Sequence, residues 1–326
     1  MRASEMENYE YFTLTVTGSE THTSGYKVQR IHVRDRFSRR RYMLERSVIR
    51  SSGNILTRYL HKRPHKRFDS RVNIARSFVY LSPAMRALYE YMPGGFVTYH
   101  AYDPDKKYVK NGKWLDPLAR SFFRHASDGV GVRSRAYAMA WKISTRHKDA
   151  ASVRWMSIAC GVGQATFDAA GLLPGDVQFF MIDLDKDALA AARTMAASYH
   201  IEKDLLRTEH VNVISEIDRL TRYIKQYQPS VVDIMGLFEY LPKKDAALLL
   251  GTIYRSLPVG STVVFTNMMP SHPHLAVHRH GMGWPGVIVR EQEEVVAICE
   301  LAKVPLERLA IILPDDNVYA VYEVQT

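Results

Sequence analysis

Ser157-Ile158-Ala159-Cys160-Gly161-Val162-Gly163-Gln164 is the stretch on which the fold turns. An apolar run over 153–159 ends in two glycines one residue apart, and a helix-forming segment follows as far as Gly171. Working outward, the same alternation repeats. A second apolar run at 177–182 closes on Asp183, and an alanine-rich helix is predicted over 185–199. Strand patterns at 206–211, 231–235 and 262–266 alternate with helix patterns at 216–227, 242–257 and 291–303. The chain ends in apolar runs at 309–313 and 318–324 around Pro314-Asp315-Asp316-Asn317, which predicts an antiparallel hairpin. Strands alternating with helices predict an α/β fold: a doubly wound, seven-stranded, mostly parallel sheet made mixed by that hairpin.

Upstream of residue 150 the pattern changes. Phe12, Leu14 and Val16 alternate with threonines, and Ile31 and Val33 repeat the period after a Thr/Ser/Gly stretch, so a hairpin is expected. Residues 71–92 read as helix interrupted at Pro83, and 114–147 as two helices broken at Asp128-Gly129-Val130-Gly131. The expected organisation is a basic lid or accessory region of α+β character over 1–120 and a nucleotide-binding domain over 121–326. Charge supports the division. Residues 1–120 carry 23 Lys/Arg against 11 Asp/Glu, whereas the whole chain has a net charge of +10. Residues 30–76 alone hold 15 basic and 3 acidic side chains, including Arg39-Arg40-Arg41 and His61-Lys62-Arg63-Pro64-His65-Lys66-Arg67. An anionic substrate, a lid or a solvated basic face accounts for this segment. A nucleic-acid partner is the less favoured reading, because no RNA-binding module signature accompanies the charge.

Two cysteines, Cys160 and Cys299, exclude a disulfide-rich scaffold and a cysteine-rich zinc module. No apolar run reaches the length of a spanning helix and none opens the chain, so a cytoplasmic enzyme without a membrane partner is expected.

The glycine turn lies where strand one becomes helix one. Small residues there let backbone approach a ligand, and the helix start offers free N–H groups to an anionic group. Such turns also occur for packing alone. Asp183, 20 residues beyond Gly163, stands where an acid accepts hydrogen bonds from ribose hydroxyls. The two together point to an adenosine cofactor. Thr166 in place of a third glycine weakens a nicotinamide reading, and no phosphate-loop motif is present.

Ala159-Cys160-Gly161-Val162-Gly163, Met181-Ile182-Asp183-Leu184-Asp185 and Asp233-Ile234-Met235-Gly236-Leu237-Phe238-Glu239-Tyr240-Leu241-Pro242 resemble the S-adenosylmethionine-dependent methyltransferases of the Rossmann-like class over about residues 120–326. The terminal hairpin agrees, since that family reverses its last strand. The resemblance implies S-adenosylmethionine as cofactor. Gly161 and Gly163, with Ala159 and Cys160, would lie against its methionine part, Asp183 would hold the ribose, and Leu184 and Asn212 would meet the adenine. Gly236, Leu237 and Phe238 would line the space near the methyl group, with Glu239 and Tyr240 on the same rim. Arg133 or Arg135 would pair with the methionine carboxylate, as guanidinium matches carboxylate in two-pronged fashion. One departure stands out: the family opens its glycine motif with Asp or Glu, and Ser157 offers only an uncharged hydroxyl to the cofactor amino group.

Ser271-His272-Pro273-His274-Leu275-Ala276-Val277-His278-Arg279-His280 holds four histidines in nine positions. No cysteine is near and no acid follows until Glu291, so no metal is expected. The loop is expected on the substrate side, with Glu239, Tyr240, His272 and His274 as candidate bases. The expected reaction is methyl transfer to a small or carrier-linked biosynthetic substrate, anionic if the basic segment serves it. Attack on the aminocarboxypropyl side of the sulfonium, an RNA methyltransferase and a non-catalytic binding protein are the competing readings.

Overall fold

Strand β4 (Ser152–Ile158) is an interior strand of the sheet, between β5 (Asp176–Asp183) and β7 (Val231–Ile234). A computed structural model describes residues 6–62, 76–92, 94–107, 114–284 and 286–326. β6 (Leu206–His210) lies outside β5, and β8 (Thr262–Met268) lies beside β7, all in parallel. β10 (Tyr319–Gln325) then inserts antiparallel between β8 and β9 (Leu309–Pro314), which completes the predicted terminal hairpin. β7, β8 and β9 are buried at every position, which is why they read as continuous apolar runs and not as alternation.

The sheet does not stop at seven strands. β9 pairs in parallel with β3 (Lys27–Asp35), which pairs with β2 (Phe12–Thr21), and β1 (Met6–Asn8) follows, giving ten strands in one sheet. The N-terminal hairpin exists as expected, and it extends the central sheet. Its physical reason is the edge of β9, whose backbone N–H and C=O groups need partners. Phe12, Leu14 and Ile31 bury in the same core as Ile312 and Val321.

Helices cover both faces. α6 (Ser127–Arg146), α7 (Gln164–Ala170) and α8 (Lys186–Ser198) pack on one, and α9 (Ile217–Tyr227), α10 (Lys243–Ser256) and α11 (Gln292–Leu301) on the other. Two helices form over 114–147 as expected, but they part at Ala126 and not at 128–131, where α6 runs on through both glycines. They serve close packing instead. A β-carbon on Gly129 would stand 2.1 Å from the Phe123 carbonyl oxygen, and one on Gly131 2.4 Å from Val318.

Among the described residues five α-helices precede α6: α1 (Met43–His61), α2 (Ser77–Leu81), α3 (Pro83–Tyr89), α4 (Gly95–Tyr102) and α5 (Pro117–His125). Of the helix expected over 71–92, positions 71–75 lie outside the described residues. Pro83 separates α2 from α3 by occupying the first position of the second helix, where its missing N–H costs nothing. Asp116 organises this region. Its carboxylate accepts from the Ser82 hydroxyl at 2.6 Å and from the Ala84 and Ala119 N–H groups, so one side chain serves the starts of α3 and α5. Val79, Met85, Leu88, Val97 and Phe123 form an apolar cluster with Val132, Met282 and Val318, which ties these helices to the sheet's end. Among the described residues, no helix is long and apolar enough to cross a membrane.

Candidate functional site

The carboxyl ends of β4, β5 and β7 open on one cavity of about 550 Å³, closed opposite by α4, α5, α6 and the segment after β8. Beyond Ile158 the chain turns sharply: Ala159, Gly161 and Gly163 have φ of 53°, 55° and 75°. The left-handed conformation favours glycine and costs a residue with a β-carbon about 1–2 kcal/mol, so Ala159 is strained. Asp183 clamps the turn from the next strand. Its Oδ2 accepts the Gly161 N–H at 2.8 Å and its Oδ1 the Asp185 N–H at 2.9 Å. Burial raises its pKa, against the lowering effect of those backbone donors. Each carboxylate oxygen keeps a further lone pair, and Asp183 lines the cavity.

Leu184, Val211, Asn212, Val213 and Ile214 continue the wall past Asp183. Asn212 closes its own turn, its Oδ1 accepting from the N–H groups of Ile214 and Ser215 at 3.1 Å. Its amide nitrogen is the group left to offer a ligand.

Beneath the glycine turn, sequence reasoning assigned Ser157 alone. The strand register sets Ser157 opposite Asp233, and the Ser157 hydroxyl donates to Asp233 Oδ2 at 2.9 Å. Trp155 Nε1 and the Thr166 hydroxyl donate to Oδ1 at 2.6 and 3.1 Å. The carboxylate that Ser157 meets thus stands on the neighbouring strand. Ser157 itself is buried below the cavity floor, while Asp233 and Thr166 line it. Burial pushes the Asp233 carboxyl up to about 6, despite its three donors.

A carboxyl whose pKa is raised on folding keeps its proton more tightly in the native state. Its ionisation therefore costs stability as pH rises from about 4 through 6, on the order of 3 kcal/mol in full. Substitution by asparagine keeps an acceptor for Trp155 and Thr166 and presents an amide to the Ser157 oxygen. Asp233→Asn is expected to be more stable than the parent at pH 8, with no difference at pH 4. Urea unfolding at both values checks this, and equal pH slopes in the two proteins would refute it.

At the far end of the floor, Arg135 and Glu239 face each other, Nη1 to Oε1 at 3.4 Å, and both are buried. The guanidinium lies 4.3 Å above the Tyr319 ring. Gly236, at φ 109°, leaves it room, since a β-carbon there would stand 3.1 Å from Nη2. Burial raises the Glu239 pKa, and Arg135 opposes the rise. Three polar atoms here are buried with no partner among the described residues: Arg135 Nε, Glu239 Oε2 and Gln164 Oε1. A lone guanidinium donor suits a carboxylate, and two unsatisfied oxygens suit an ammonium group.

The structure divides the remaining candidates. Arg133 does not reach the cavity. Two residues on a helix are about 200° apart, so Arg133 and Arg135 face opposite ways, and Arg133 is bonded to Asp35 and three carbonyls. Phe238 is core, stacked on Phe265 at 4.4 Å, while Gly236 and Leu237 line the cavity. Tyr240 lines it too, but its hydroxyl accepts from Trp284 Nε1 and burial raises its pKa, which makes it a poor base.

His272 and His274 stand behind the wall. His274 bridges α6 and α1, with Nδ1 2.9 Å from Ser127 Oγ and Nε2 3.0 Å from Asn54 Oδ1. The histidine on the cavity is His278, carried there by a π-helical turn, Val277–Met282. A linear pattern of four histidines gave no sign of which would face inward. His278 Nδ1 is hydrogen-bonded to Asp128 Oδ1, and His272 Nε2 lies 3.5 Å from the same oxygen. Burial alone would raise the Asp128 carboxyl; His278 and His272 outweigh it and hold it well below the usual range.

One oxygen of Asp128 and one nitrogen of each ring lie within 4.8 Å of one another, a spacing open to a metal ion. The hydrogen bonds do not suit one. His272 Nδ1 accepts the His274 N–H at 2.9 Å, so in the neutral ring the proton sits on Nε2, the atom a metal would need bare.

Part of the basic segment is engaged within the protein. Arg36 pairs with Asp103 and Asp105, Arg30 with Glu20, and Arg46 donates to the Ser38 carbonyl. Arg39, Arg40 and Arg41 lie around a short turn before α1, with Arg41 over the Tyr42 ring. Positions 63–67 of the second basic run lie outside the described residues.

No protein-family model and no curated protein matches this sequence. Solved structures do. A possible exported protein from Bordetella parapertussis matches with a TM-score of 0.63 at 15% identity, covering 85% of this chain and 96% of its own. Others include many S-adenosylmethionine-dependent methyltransferases at low identity. SibL, in its apo form, has a TM-score of 0.49 at 14% identity, covering 78% of this chain and 70% of its own. Magnesium protoporphyrin IX methyltransferase from Synechocystis PCC 6803, with bound SAM, has a TM-score of 0.47 at 10% identity, covering 74% and 96%.

Proposed function

We propose that this protein is an S-adenosylmethionine-dependent methyltransferase acting on a small acceptor. The observation that carries the reading is the pairing, in one cavity, of the left-handed turn clamped by Asp183 with the unpartnered Arg135 Nε, Glu239 Oε2 and Gln164 Oε1. The first suits a ribose and the second an amino-acid zwitterion, and S-adenosylmethionine carries both. Bound there, it supplies a methyl carbon made electrophilic by its sulfonium.

The chain's own task is alignment and exclusion of water. Asp183 accepts the ribose hydroxyls, Leu184 packs on the adenine, Asn212 meets its polar edge, and Arg135 takes the carboxylate. Helix α4 acts as the lid: it begins against the glycine turn so closely that a β-carbon on Gly95 would stand 2.8 Å from Gly161 Cα. The unpaired thiols of Cys160 and Cys299 fit a cytoplasmic setting.

Asp183→Ala removes charged acceptors worth about 1.5–3 kcal/mol, one to two decades in affinity, and also frees the Gly161 N–H. Calorimetry with S-adenosylmethionine should show that loss, and unchanged affinity would take Asp183 out of the site. The nucleoside released on turnover checks the reaction. Adenosylhomocysteine is expected, methylthioadenosine would move the attack to the aminocarboxypropyl side, and tight binding without turnover would leave a binding protein.

A further inference from the structure

Part of the cavity wall is one apolar cluster whose chemistry names the acceptor. Val97, Phe122, Phe123, Met282, Trp284 and Val287 belong to it. Among the described residues, the only guanidinium on the cavity wall is Arg135, already opposite Glu239, and no lysine lines it. Among the described residues a strongly anionic acceptor thus has no cation of its own here.

His278 lies beside this cluster, its ring centre 6.3 Å from that of Trp284. It is 5% exposed, yet it borders the cavity. Its Nδ1 is bonded to the Asp128 carboxylate, which fixes the ring proton on that atom. Its Nε2 is then a bare lone pair, buried and without a partner among the described residues. The arrangement has a second support. His272, its Nδ1 occupied by the His274 N–H, turns an Nε2 proton toward the same Asp128 oxygen at 3.5 Å. Asp128 thus holds one ring by a hydrogen bond and has the Nε2 of the other 3.5 Å away, and the ring it holds faces the cavity with an acceptor atom. A carboxylate holding a histidine so that its other nitrogen is free is an arrangement for taking a proton.

We propose that the acceptor is a small, uncharged, apolar hydroxyl compound and that His278, held by Asp128, removes its proton as the methyl group is transferred. The inference rests on the methyltransferase reading above. A neutral hydroxyl oxygen that attacks a methyl carbon must shed its proton, whereas a neutral amine attacks without help. In the step, the O–H proton passes to His278 Nε2 and the oxygen forms the O–CH3 bond. The C–S bond breaks with its electron pair left on sulfur. The products are a methyl ether, a neutral thioether and an imidazolium, which returns its proton to solvent. His278 is the catalytic residue, and Asp128 and His272 are positioning residues.

The first test needs neither cofactor nor acceptor. In the full-length protein with 15N-labelled histidine, NMR should show His278 protonated at Nδ1 and bare at Nε2 at neutral pH, with that preference lost in Asp128→Asn. An Nε2–H tautomer in the parent overturns the proposal. The charged groups that face the ring are Asp128 from α6, His272 from its own loop and Glu239 from the rim after β7. From α1, Arg50 acts on His274.

The second test supplies S-adenosylmethionine with phenol, catechol and 1-naphthol beside aniline and benzoate. The phenols should be methylated. His278→Gln should lower kcat roughly 10²–10³-fold at neutral pH, the usual range for loss of a positioned base, with cofactor affinity by calorimetry unchanged. The deficit should narrow as pH rises and the phenol ionises unaided. Methylation of aniline or benzoate alone, of nothing in the panel, or equal rates in parent and variant overturns the proposal. Failure of the methyltransferase reading is distinguishable: S-adenosylmethionine would not bind, whatever the His278 tautomer.

Discussion

Arg133→Leu should destabilise the protein by about 3–5 kcal/mol, the cost of leaving a buried ion-pair partner alone. Arg133 is 1% exposed and makes four hydrogen bonds. Nε donates to Asp35 Oδ2 at 2.7 Å, Nη1 to the Ala101 and Phe123 carbonyls at 2.9 and 2.8 Å, and Nη2 to the Arg124 carbonyl at 2.6 Å. Its guanidinium lies 5.0 Å above the Phe37 ring. One side chain of α6 thus ties together the end of β3, the last turn of α4 and the last turn of α5. Leucine fills part of the volume but leaves three carbonyls and a carboxylate unanswered. Urea unfolding measures the loss, and a change under about 1 kcal/mol would contradict it. Asp35→Leu in the same protein should recover part of the loss by removing the stranded charge. The folded variant should still bind S-adenosylmethionine, because Arg133 does not border the cavity.

Arg133 also shows where a linear reading stops. Both arginines of Arg133-Ser134-Arg135 are candidates for a carboxylate in sequence, and only helical geometry separates them. The β/α alternation was legible because each unit is local: an apolar strand, a turn and an amphipathic helix within about thirty residues. The joining of the expected N-terminal hairpin to that sheet was not, since β3 finds its partner β9 nearly the whole chain away. The histidine pattern misled for a related reason. A π-helical turn shifts the register of its side chains, so spacing in the loop does not predict which ring reaches the cavity. Ser157 is the subtler case. Its missing charge was visible, but the carboxylate its hydroxyl bonds to comes across the strand pair from Asp233, and pairing becomes known only with the register.

Gly161→Val should abolish measurable binding of S-adenosylmethionine, at least a hundredfold loss, or roughly 2.7 kcal/mol. Two effects combine. Gly161 has φ 55°, and a β-branched residue there is strained beyond the alanine already tolerated at Ala159. Its β-carbon would also stand 3.3 Å from Gly95 Cα, where α4 begins against the turn. Valine's methyl groups must then push α4 away or enter the cavity that Gly161 lines. Either response removes a surface that the ligand needs. Gly163 is a useful contrast. A β-carbon there would stand 2.7 Å from Met181 Cε and 2.8 Å from Phe167 Cε2, so its substitution acts on the packing of α7 against β5. Gly163→Val should therefore lower the unfolding midpoint more than Gly161→Val does. Calorimetry and thermal unfolding on both variants separate the roles. Normal binding by Gly161→Val would show that this turn is built for packing and that the cofactor site lies elsewhere in the cavity.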